Sequence, residues 1–176
     1  MTTPEPVRHE HTIERHQSES PWEETIGSAR AVAAGDLVFV AGTMPLVDGV
    51  LQGEGDPYEQ TLAALRHALA ALGGFGLGAD AVLRTRVYFT HARDVDAVSR
   101  AHREIFAAVR PATTLVVVSG FVDSRVLVEV ELEAFRPGRA AAPAAEEASG
   151  TARTSGDSTS RATDDGAART TEGRMP

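Results

Sequence analysis

A ten-residue stretch, VLVEVELEAF at residues 126–135, constrains the fold of this chain more than any other part of the sequence. Its residues alternate between apolar and acidic. Because a β-strand sends successive side chains to opposite faces, the pattern predicts a strand with one apolar face and one carboxylate face. The carboxylate face carries Glu129, Glu131 and Glu133, each about 7 Å from the next. Three like charges so close together need cationic partners, water or another protein surface to cover them.

The other elements predict an α+β sheet with two helices on one face. AVAAGDLVFVAGT contains two strands around a turn at Ala34, Gly35 and Asp36, and DGVLQGEG is a loop. The stretches AVLRTRVYFT and ATTLVVVS predict two more strands, one on each side of the second helix. With the acidic strand last, the predicted order is β-β-α-β-α-β-β.

Two amphipathic helices are predicted from their end signals. The first, DPYEQTLAALRHALAALGG, has Asp56 as its N-cap, Pro57 at the first helical position and Glu59 three residues after the cap. The second, DVDAVSRAHREIFAAV, must stop before Pro111. The residues predicted to face the core are Leu62, Leu65, Leu69 and Leu72 in the first helix and Val95, Val98, Ile105 and Val109 in the second.

Composition divides the chain into three parts. Residues 1–19 are polar and without periodicity, so we expect a flexible N-terminal segment, whereas residues 20–136 predict one folded domain. Residues 137–176 form an Ala/Thr/Ser/Arg/Asp-rich tail without aromatic residues, Leu, Ile or Val. Such a tail buries too little apolar surface to offset the entropy of ordering, so we expect it to be disordered.

Missing residue types exclude several chemistries. The chain has no cysteine, which rules out disulfides, thiolate nucleophiles and zinc sites built on sulfur. All 17 basic residues are arginines, which rules out a Schiff-base or phosphate-loop lysine. A net charge of -8 argues against nucleic-acid binding, and no apolar run predicts a signal peptide or membrane span. We therefore expect a cytoplasmic protein without a cofactor, a nucleic-acid partner or a membrane partner.

Several aromatic and histidine side chains are candidates for binding. His9 and His11 form a His-x-His pair, but they lie in the expected flexible segment, so we predict no metal site. His102 lies beside the apolar stripe of the second helix and is expected to be packed and hydrogen-bonded. His67 faces away from the leucine stripe and is expected to be solvated. Trp22 is expected to cover a hydrophobic edge, the alternative being that it stacks on a ligand.

Five stretches, in chain order, resemble the RidA (YjgF) family of small trimeric proteins. They are SPWEETIGSARAVAAGDLVFVAGT, GDPYEQTLAALRHALAALGGFG, RTRVYFT, AHREIFAAVRPATTLVVV and VLVEVELEAF, and they cover nearly all of residues 20–135. The resemblance implies a chorismate-mutase-like fold that assembles as a homotrimer with ligand clefts between subunits. It places the carboxylate row at the interface or clefts, whereas composition alone favours a solvated face paired with Arg84 and Arg86.

The resemblance also implies an activity, the hydrolysis of reactive enamines or imines to a 2-oxo acid and ammonia. LVEVE in this chain matches the family's LVEIE, which places Glu129 at the water-activating position. AGT places Gly42 at a backbone contact with the substrate. Ser28 takes the position of an aromatic hydroxyl that flanks the cleft in many relatives, and Trp22 would lie close to the cleft.

One position departs from the family pattern. Active deaminases read Pro-Ala-Arg-Ser or Pro-Ala-Arg-Thr where this chain has Thr113 in place of the arginine. A threonine hydroxyl cannot replace the bidentate contact of an arginine with a substrate carboxylate. Leu115, facing the same way, makes this wall of the cleft apolar. Four other arginines could bind a substrate carboxylate in its place, but we expect them to pair with glutamates instead; they are Arg30, Arg84, Arg86 and Arg110.

Two hypotheses for the function remain open. The first is a small-molecule hydrolase of the enamine/imine deaminase type, with Glu129 as the catalytic residue and an altered substrate choice because of Thr113. The second is a non-catalytic ligand-binding or protein-interaction trimer that keeps the cleft without the chemistry. The retained glutamate favours the first, and the lost arginine favours the second.

Overall fold

The computed structural model describes residues 13–18 and 20–138. Its strands are β1 (Ile13–His16), β2 (Ala31–Ala34), β3 (Leu37–Thr43), β4 (Leu46–Val47), β5 (Val50–Leu51), β6 (Val82–Phe89), β7 (Ala112–Val117) and β8 (Val128–Phe135). Its helices are α1 (Pro21–Ile26), α2 (Pro57–Gly73) and α3 (Val95–Phe106), and short 3-10 turns cover Ala79–Ala81 and Ala92–Asp94.

Six strands form one sheet in the order β1-β2-β3-β8-β6-β7, and β4 pairs with β5 in a separate hairpin. All neighbours in the sheet are antiparallel except β6 and β7, which are parallel. The acidic strand β8 is therefore central, and β7 is an edge strand. The predicted α+β class, with its sheet and two main helices, is confirmed.

The apolar face of β8 packs against α2 and α3. Val128, Val130 and Leu132 are buried there, together with most of the predicted leucine stripe of α2. Val98 and Phe106 of α3 complete this core. The prediction for Val95 is wrong, since this residue is 39% exposed. It is the first residue of α3, where the helix has only begun to cover the sheet.

Residues 13–16 correct the expectation of a flexible segment over residues 1–19. They form β1, which pairs antiparallel with β2. The strand is polar, and its order comes from distant contacts: the Glu14 carboxylate accepts two hydrogen bonds from the Arg136 guanidinium, at 3.0 and 3.1 Å. The ring of His16 contacts Phe75 edge-on.

Two more elements were not predicted. The helix α1 begins at Pro21 and ends at Gly27, whose φ of 68° suits glycine. The stretch expected to be a loop contains the hairpin β4–β5, turned by Asp48 (φ 51°) and Gly49 (φ 76°). Positive φ at both positions is typical of the type I′ turn that Asp-Gly favours.

Several expectations concern residues outside the described ranges. These are the disordered tail beyond residue 138, the first twelve residues of the flexible segment, and the pair His9 and His11. Within the described ranges, no helix is both long and apolar enough to cross a membrane.

Candidate functional site

The carboxylate face of β8 is the face that α2 and α3 leave uncovered. Opposite it in the ladder, Arg84 pairs in register with Glu133, and Arg86 with Glu131. The Arg84 Nε lies 3.6 Å from a Glu133 oxygen, and the Arg86 Nη1 lies 3.2 Å from Glu131 and 2.9 Å from Glu133. The expected pairing of these arginines with the carboxylate row is confirmed for two of its three glutamates.

Glu129 is the exception in this row. Its register partner on β6 is Tyr88, and it makes no ion pair within 4 Å among the described residues. Burial raises the pKa of Glu129, the nearby Glu131 charge raises it further, and Arg30 opposes the rise. A carboxylate with a raised pKa is a better proton acceptor than an exposed one, so Glu129 is the candidate base of this face.

A β-bulge places Gly42 against Glu129. Val40 pairs with Leu132 and Thr43 with Val130, so β3 carries one more residue than β8 across this interval. A Cβ built on Gly42 would overlap the Glu129 carboxylate. The two residues predicted from the AGT and LVEVE motifs therefore lie in contact, and only glycine leaves space for the carboxylate in this position.

Arg30 lies behind the same bulge. Its Nη2 donates hydrogen bonds to the carbonyl oxygens of Ala41, at 2.9 Å, and of Gly42, at 2.7 Å. Burial lowers the pKa of Arg30, while the charges of Glu23 and Glu129 oppose that fall. Its Nε is buried and has no hydrogen-bond partner in the part of the chain that the structure describes. Arg30 was expected to pair with glutamates, but its hydrogen bonds among the described residues go to backbone carbonyl groups, and Glu23 and Glu129 act on it through their charge.

Glu23 is the second carboxylate whose charge acts on Arg30. The residue is 9% exposed on α1, and its carboxylate accepts hydrogen bonds from the backbone N–H and hydroxyl of Ser18. The backbone N–H of Ser28 donates to the Glu23 carbonyl oxygen at 3.0 Å, so Ser28 lies at the end of α1 and half-buried.

Thr113 and Leu115 lie away from this cluster. In the parallel pairing of β6 with β7, Thr113 is level with Thr85 and Leu115 with Val87, both of which face the helices. The two residues therefore project from the edge strand on the side opposite Glu129. A single chain does not bring them together with Glu129, and both leave much of their surface exposed.

The Thr113 hydroxyl is engaged within its own chain. It accepts a hydrogen bond from the Thr85 hydroxyl at 3.0 Å and donates one to the Pro111 carbonyl oxygen at 3.1 Å. The Nε2 of His102 lies 2.9 Å from the Thr85 hydroxyl and 3.4 Å from that of Thr113. His102 also packs on Phe106, and burial lowers its pKa, so its predicted role as a packed, hydrogen-bonded residue is confirmed.

Trp22 keeps 44% of its surface exposed, so whether it covers a hydrophobic edge or stacks on a ligand stays a prediction. One histidine differs from expectation. His67 is not fully solvated: its Nδ1 is buried without a hydrogen-bond partner among the described residues. His67 lies on α2 next to the buried Ala68 and one turn after the buried Ala64.

Tyr88 and Glu23 complete the site but were not selected from the sequence. Tyr88 follows Arg84 and Arg86 on the same face of β6, so the same alternation indicates it. Glu23 has no such signal, because α1 was not predicted. An open groove of about 240 Å³ lies along this face beside the bulge. Its lining residues are Ala29, Val32, Phe39, Val40, Ala41, Arg86, Glu131, Leu132 and Glu133.

Within residues 13–18 and 20–138, no group of three or more histidine or acidic side chains is arranged to hold a metal ion. The groups that the structure places around Glu129 are the Glu131 carboxylate, the Arg30 guanidinium, the Tyr88 phenol and the backbone of the bulge.

The fold and site define a class of small α+β proteins that carry a row of carboxylates on the sheet face their own helices leave open. A family model described as Endoribonuclease L-PSP matches residues 24–136. The chain belongs to this family, which is the RidA (YjgF) family that its motifs resemble.

Individual relatives agree with this assignment. The chain is 62% identical over 124 residues to Uncharacterized protein SCO2049 of Streptomyces coelicolor, covering 70% of this chain and 92% of that one. It is 36% identical to the solved Rv2704 of Mycobacterium tuberculosis, a member of the YjgF/YER057c/UK114 family, with a TM-score of 0.63 over 70% and 99% of the two chains. A putative endoribonuclease of Thermotoga maritima is 25% identical, with a TM-score of 0.60 over 70% and 93%.

Proposed function

We propose that this protein hydrolyses enamines or imines, with Glu129 activating a water molecule in clefts between the subunits of a homotrimer. The observation that carries the proposal is the position of Glu129. It is the carboxylate of the row without an arginine ion pair among the described residues, and it packs directly against Gly42, where a larger side chain would displace it. A carboxylate held in this way has a free oxygen with which to accept a proton from water.

The chemistry balances with one carboxylate. Glu129 accepts a proton as the water oxygen attacks the C=N carbon, and a carbinolamine forms. Glu129 returns this proton to the nitrogen, which completes the carbinolamine. It then accepts the hydroxyl proton of the carbinolamine and passes it to the nitrogen, so that the C–N bond breaks, the C=O double bond forms and ammonia leaves. A raised pKa suits both directions of this transfer, because the ideal pKa for a catalytic acid or base lies near the working pH.

The proposal assigns the two walls of the cleft to different subunits. Thr113 and Leu115 are exposed on an edge strand and face away from Glu129 of their own chain. The carboxylate face also exposes Leu37, Phe39 and Phe135, each between 42% and 43%. Apolar side chains grouped on an open sheet face favour contact with another protein surface. A second copy of the chain, as the family resemblance implies, would cover them and bring Thr113 to Glu129.

Substrate choice follows from the lost arginine. Arg84 and Arg86 are paired with glutamates, and Thr113 carries no charge. A carboxylate substrate therefore loses a charge-assisted contact that contributes roughly 1.5–3 kcal/mol. We expect imines without a carboxylate to be better substrates than 2-imino acids, with Leu115 favouring an apolar substituent.

An assay of ammonia release from freshly generated imines tests the proposal. The panel contains 2-aminoacrylate and imines without a carboxylate. We expect the wild-type protein to accelerate hydrolysis of the latter and Glu129→Gln to lose roughly a hundredfold or more of that activity. Glu133→Gln, in the same row but paired with arginines, is the matched control and should retain activity. Thr113→Arg should raise activity on 2-aminoacrylate. A wild-type protein inactive on the whole panel would contradict the proposal.

A non-catalytic ligand-binding or protein-interaction trimer is the second candidate. The observation in its favour is that the Thr113 hydroxyl is hydrogen-bonded within its own chain, so this wall offers little to a reacting group. Calorimetric binding of imine analogues, equally strong in wild type and Glu129→Gln without turnover, would support it. The endoribonuclease description of the family has less support in this chain, because its net charge of -8 disfavours binding to phosphates.

A further inference from the structure

We infer that Arg30 is the positioning residue of this site: its guanidinium fixes the backbone bulge that carries Gly42 and faces Glu129 with a positive charge. The structural role of Arg30 does not depend on the proposed function; only its effect on the rate of hydrolysis does.

The bulge needs a partner outside the sheet. Where β3 carries its additional residue, the carbonyl groups lose their regular partners on β8. Arg30 donates from one nitrogen to the carbonyl oxygens of both Ala41 and Gly42. Its own carbonyl oxygen accepts a hydrogen bond from the Ala41 N–H at 3.0 Å. Arg30 therefore holds the bulge through its backbone and its side chain together.

The position of Gly42 decides where the Glu129 carboxylate lies, because the two are in contact. The hydroxyl of Thr43 also donates to the Ala41 carbonyl oxygen, at 2.8 Å, whereas Arg30 is the side-chain donor to the Gly42 carbonyl oxygen among the described residues. Loss of Arg30 would leave the Gly42 carbonyl group without this donor. The position of the bulge, and with it that of the Glu129 carboxylate, therefore depends on Arg30.

The charges around Glu129 make Arg30 important electrostatically as well. The charge of Glu129 is affected by Glu131 on β8 and by Arg30, which precedes β2. Its register partner Tyr88 on β6 is affected by Arg86, and Arg30 is affected by Glu23 on α1. Arg86 is paired with Glu131 and Glu133. Arg30 is thus the positive charge that balances Glu129 among the described residues.

The same contacts exclude Arg30 as a replacement for the missing substrate arginine. Its Nη2 is engaged with two carbonyl groups, and its Nε is buried away from solvent. The negative charges of Glu23 and Glu129 both act on Arg30, so a substrate carboxylate approaching it would meet net negative charge. Arg30 acts on substrate through Glu129 and Gly42.

Three variants separate these roles. Arg30→Gln removes the charge, Arg30→Lys keeps it on a shorter side chain without the planar guanidinium, and Arg66→Gln is a matched change at an exposed arginine on α2. The readout is NMR titration of the Glu129 side-chain carboxyl, assigned with Glu129→Gln, together with the amide signals of residues 41–43. This readout requires no activity, so it decides the inference even if the protein hydrolyses no imine.

We expect Arg30→Gln to move the Glu129 titration to higher pH, since loss of a nearby cation disfavours the carboxylate. We expect Arg30→Lys to shift the amide signals of residues 41–43 while the titration stays near that of wild type, and Arg66→Gln to change neither. In an active protein, kcat of Arg30→Gln should fall roughly ten- to a hundredfold, and the pH profile should move with the titration. An unchanged titration in folded Arg30→Gln would overturn the inference. If Arg30→Gln does not fold, unchanged amide signals of residues 41–43 in Arg30→Lys would overturn the inference.

Discussion

Gly42 lies so close to Glu129 that a methyl group at this position would overlap the carboxylate. We expect Gly42→Ala to push the Glu129 side chain aside and to lower imine hydrolysis roughly a hundredfold. The free energy of unfolding should change by only about 1 kcal/mol, because the overlapping atoms belong to the end of a flexible side chain. Gly73→Ala is the control, since nothing lies within 4 Å of its Cβ position. Kinetics and urea unfolding measure both effects; full activity in Gly42→Ala would contradict the contact.

The pKa of Glu129 leads to a prediction about stability. Burial raises this pKa in the folded state, so the ionised carboxylate destabilises the fold at pH values above it. Glu129→Gln should therefore stabilise the protein at pH 8, by under about 1 kcal/mol because water screens a half-buried carboxylate. The gain should disappear as pH falls below the unfolded-state pKa, where the wild-type side chain is protonated in both states. Thermal unfolding from pH 4 to 8 measures this, and a variant less stable than wild type at pH 8 would contradict it.

Residue patterns indicated one half of the site and not the other. The alternation in VLVEVELEAF and AVLRTRVYFT placed Glu131 and Glu133 opposite Arg84 and Arg86, because the period of two fixes the faces of neighbouring strands. The role of Arg30 had no such signal. It depends on a bulge, and a bulge arises from how β3 meets β8 in the sheet rather than from either strand alone.

Among the elements, β1 is held by a contact with the far end of the chain. The buried Arg136 guanidinium pairs with Glu14, and Glu14→Gln would leave this charge without its carboxylate. We expect a loss of about 1–3 kcal/mol in the free energy of unfolding. Amide hydrogen exchange should show that β1 loses protection before β8. Glu54→Gln, which removes an exposed partner of Arg125, is the control and should cost under about 1 kcal/mol. Equal losses in the two variants would contradict the role of this pair.

The elements with regular periodicity were predictable, and the short ones were not. The capping residues and leucine stripe of α2 are local, and the structure has Asp56 accepting hydrogen bonds from the N–H groups of Tyr58 and Glu59. The strand β1 has no apolar alternation, and distant residues such as Arg136 and Phe75 determine its order. The hairpin β4–β5 does carry a signal, the Asp48-Gly49 pair, although the polar composition of DGVLQGEG predicts a loop.

For the whole molecule, the open sheet face predicts self-association. This face exposes three apolar side chains, those of Leu37, Phe39 and Phe135. They lie on the same face as the solvent-exposed ion pair of Arg84 with Glu133. We expect light scattering at micromolar concentration to give about three times the 18.6 kDa mass of one chain. Phe39→Glu, which adds a charge beside Glu133, should reduce this mass, whereas Val50→Glu at the exposed tip of the β4–β5 hairpin should not. A well-folded single chain in the wild type would contradict the assembly.

The central claim is that one cleft takes Glu129 from one subunit and Thr113 from another. Two variants test it directly: Glu129→Gln, which removes the base, and Thr113→Trp, which fills the opposite wall from an exposed edge position. Each should be inactive alone. Co-expressed in equal amounts, they should assemble mixed trimers in which about a quarter of the clefts are intact, and imine hydrolysis should recover to about that fraction. A mixed assembly as inactive as its two parents would contradict the shared cleft.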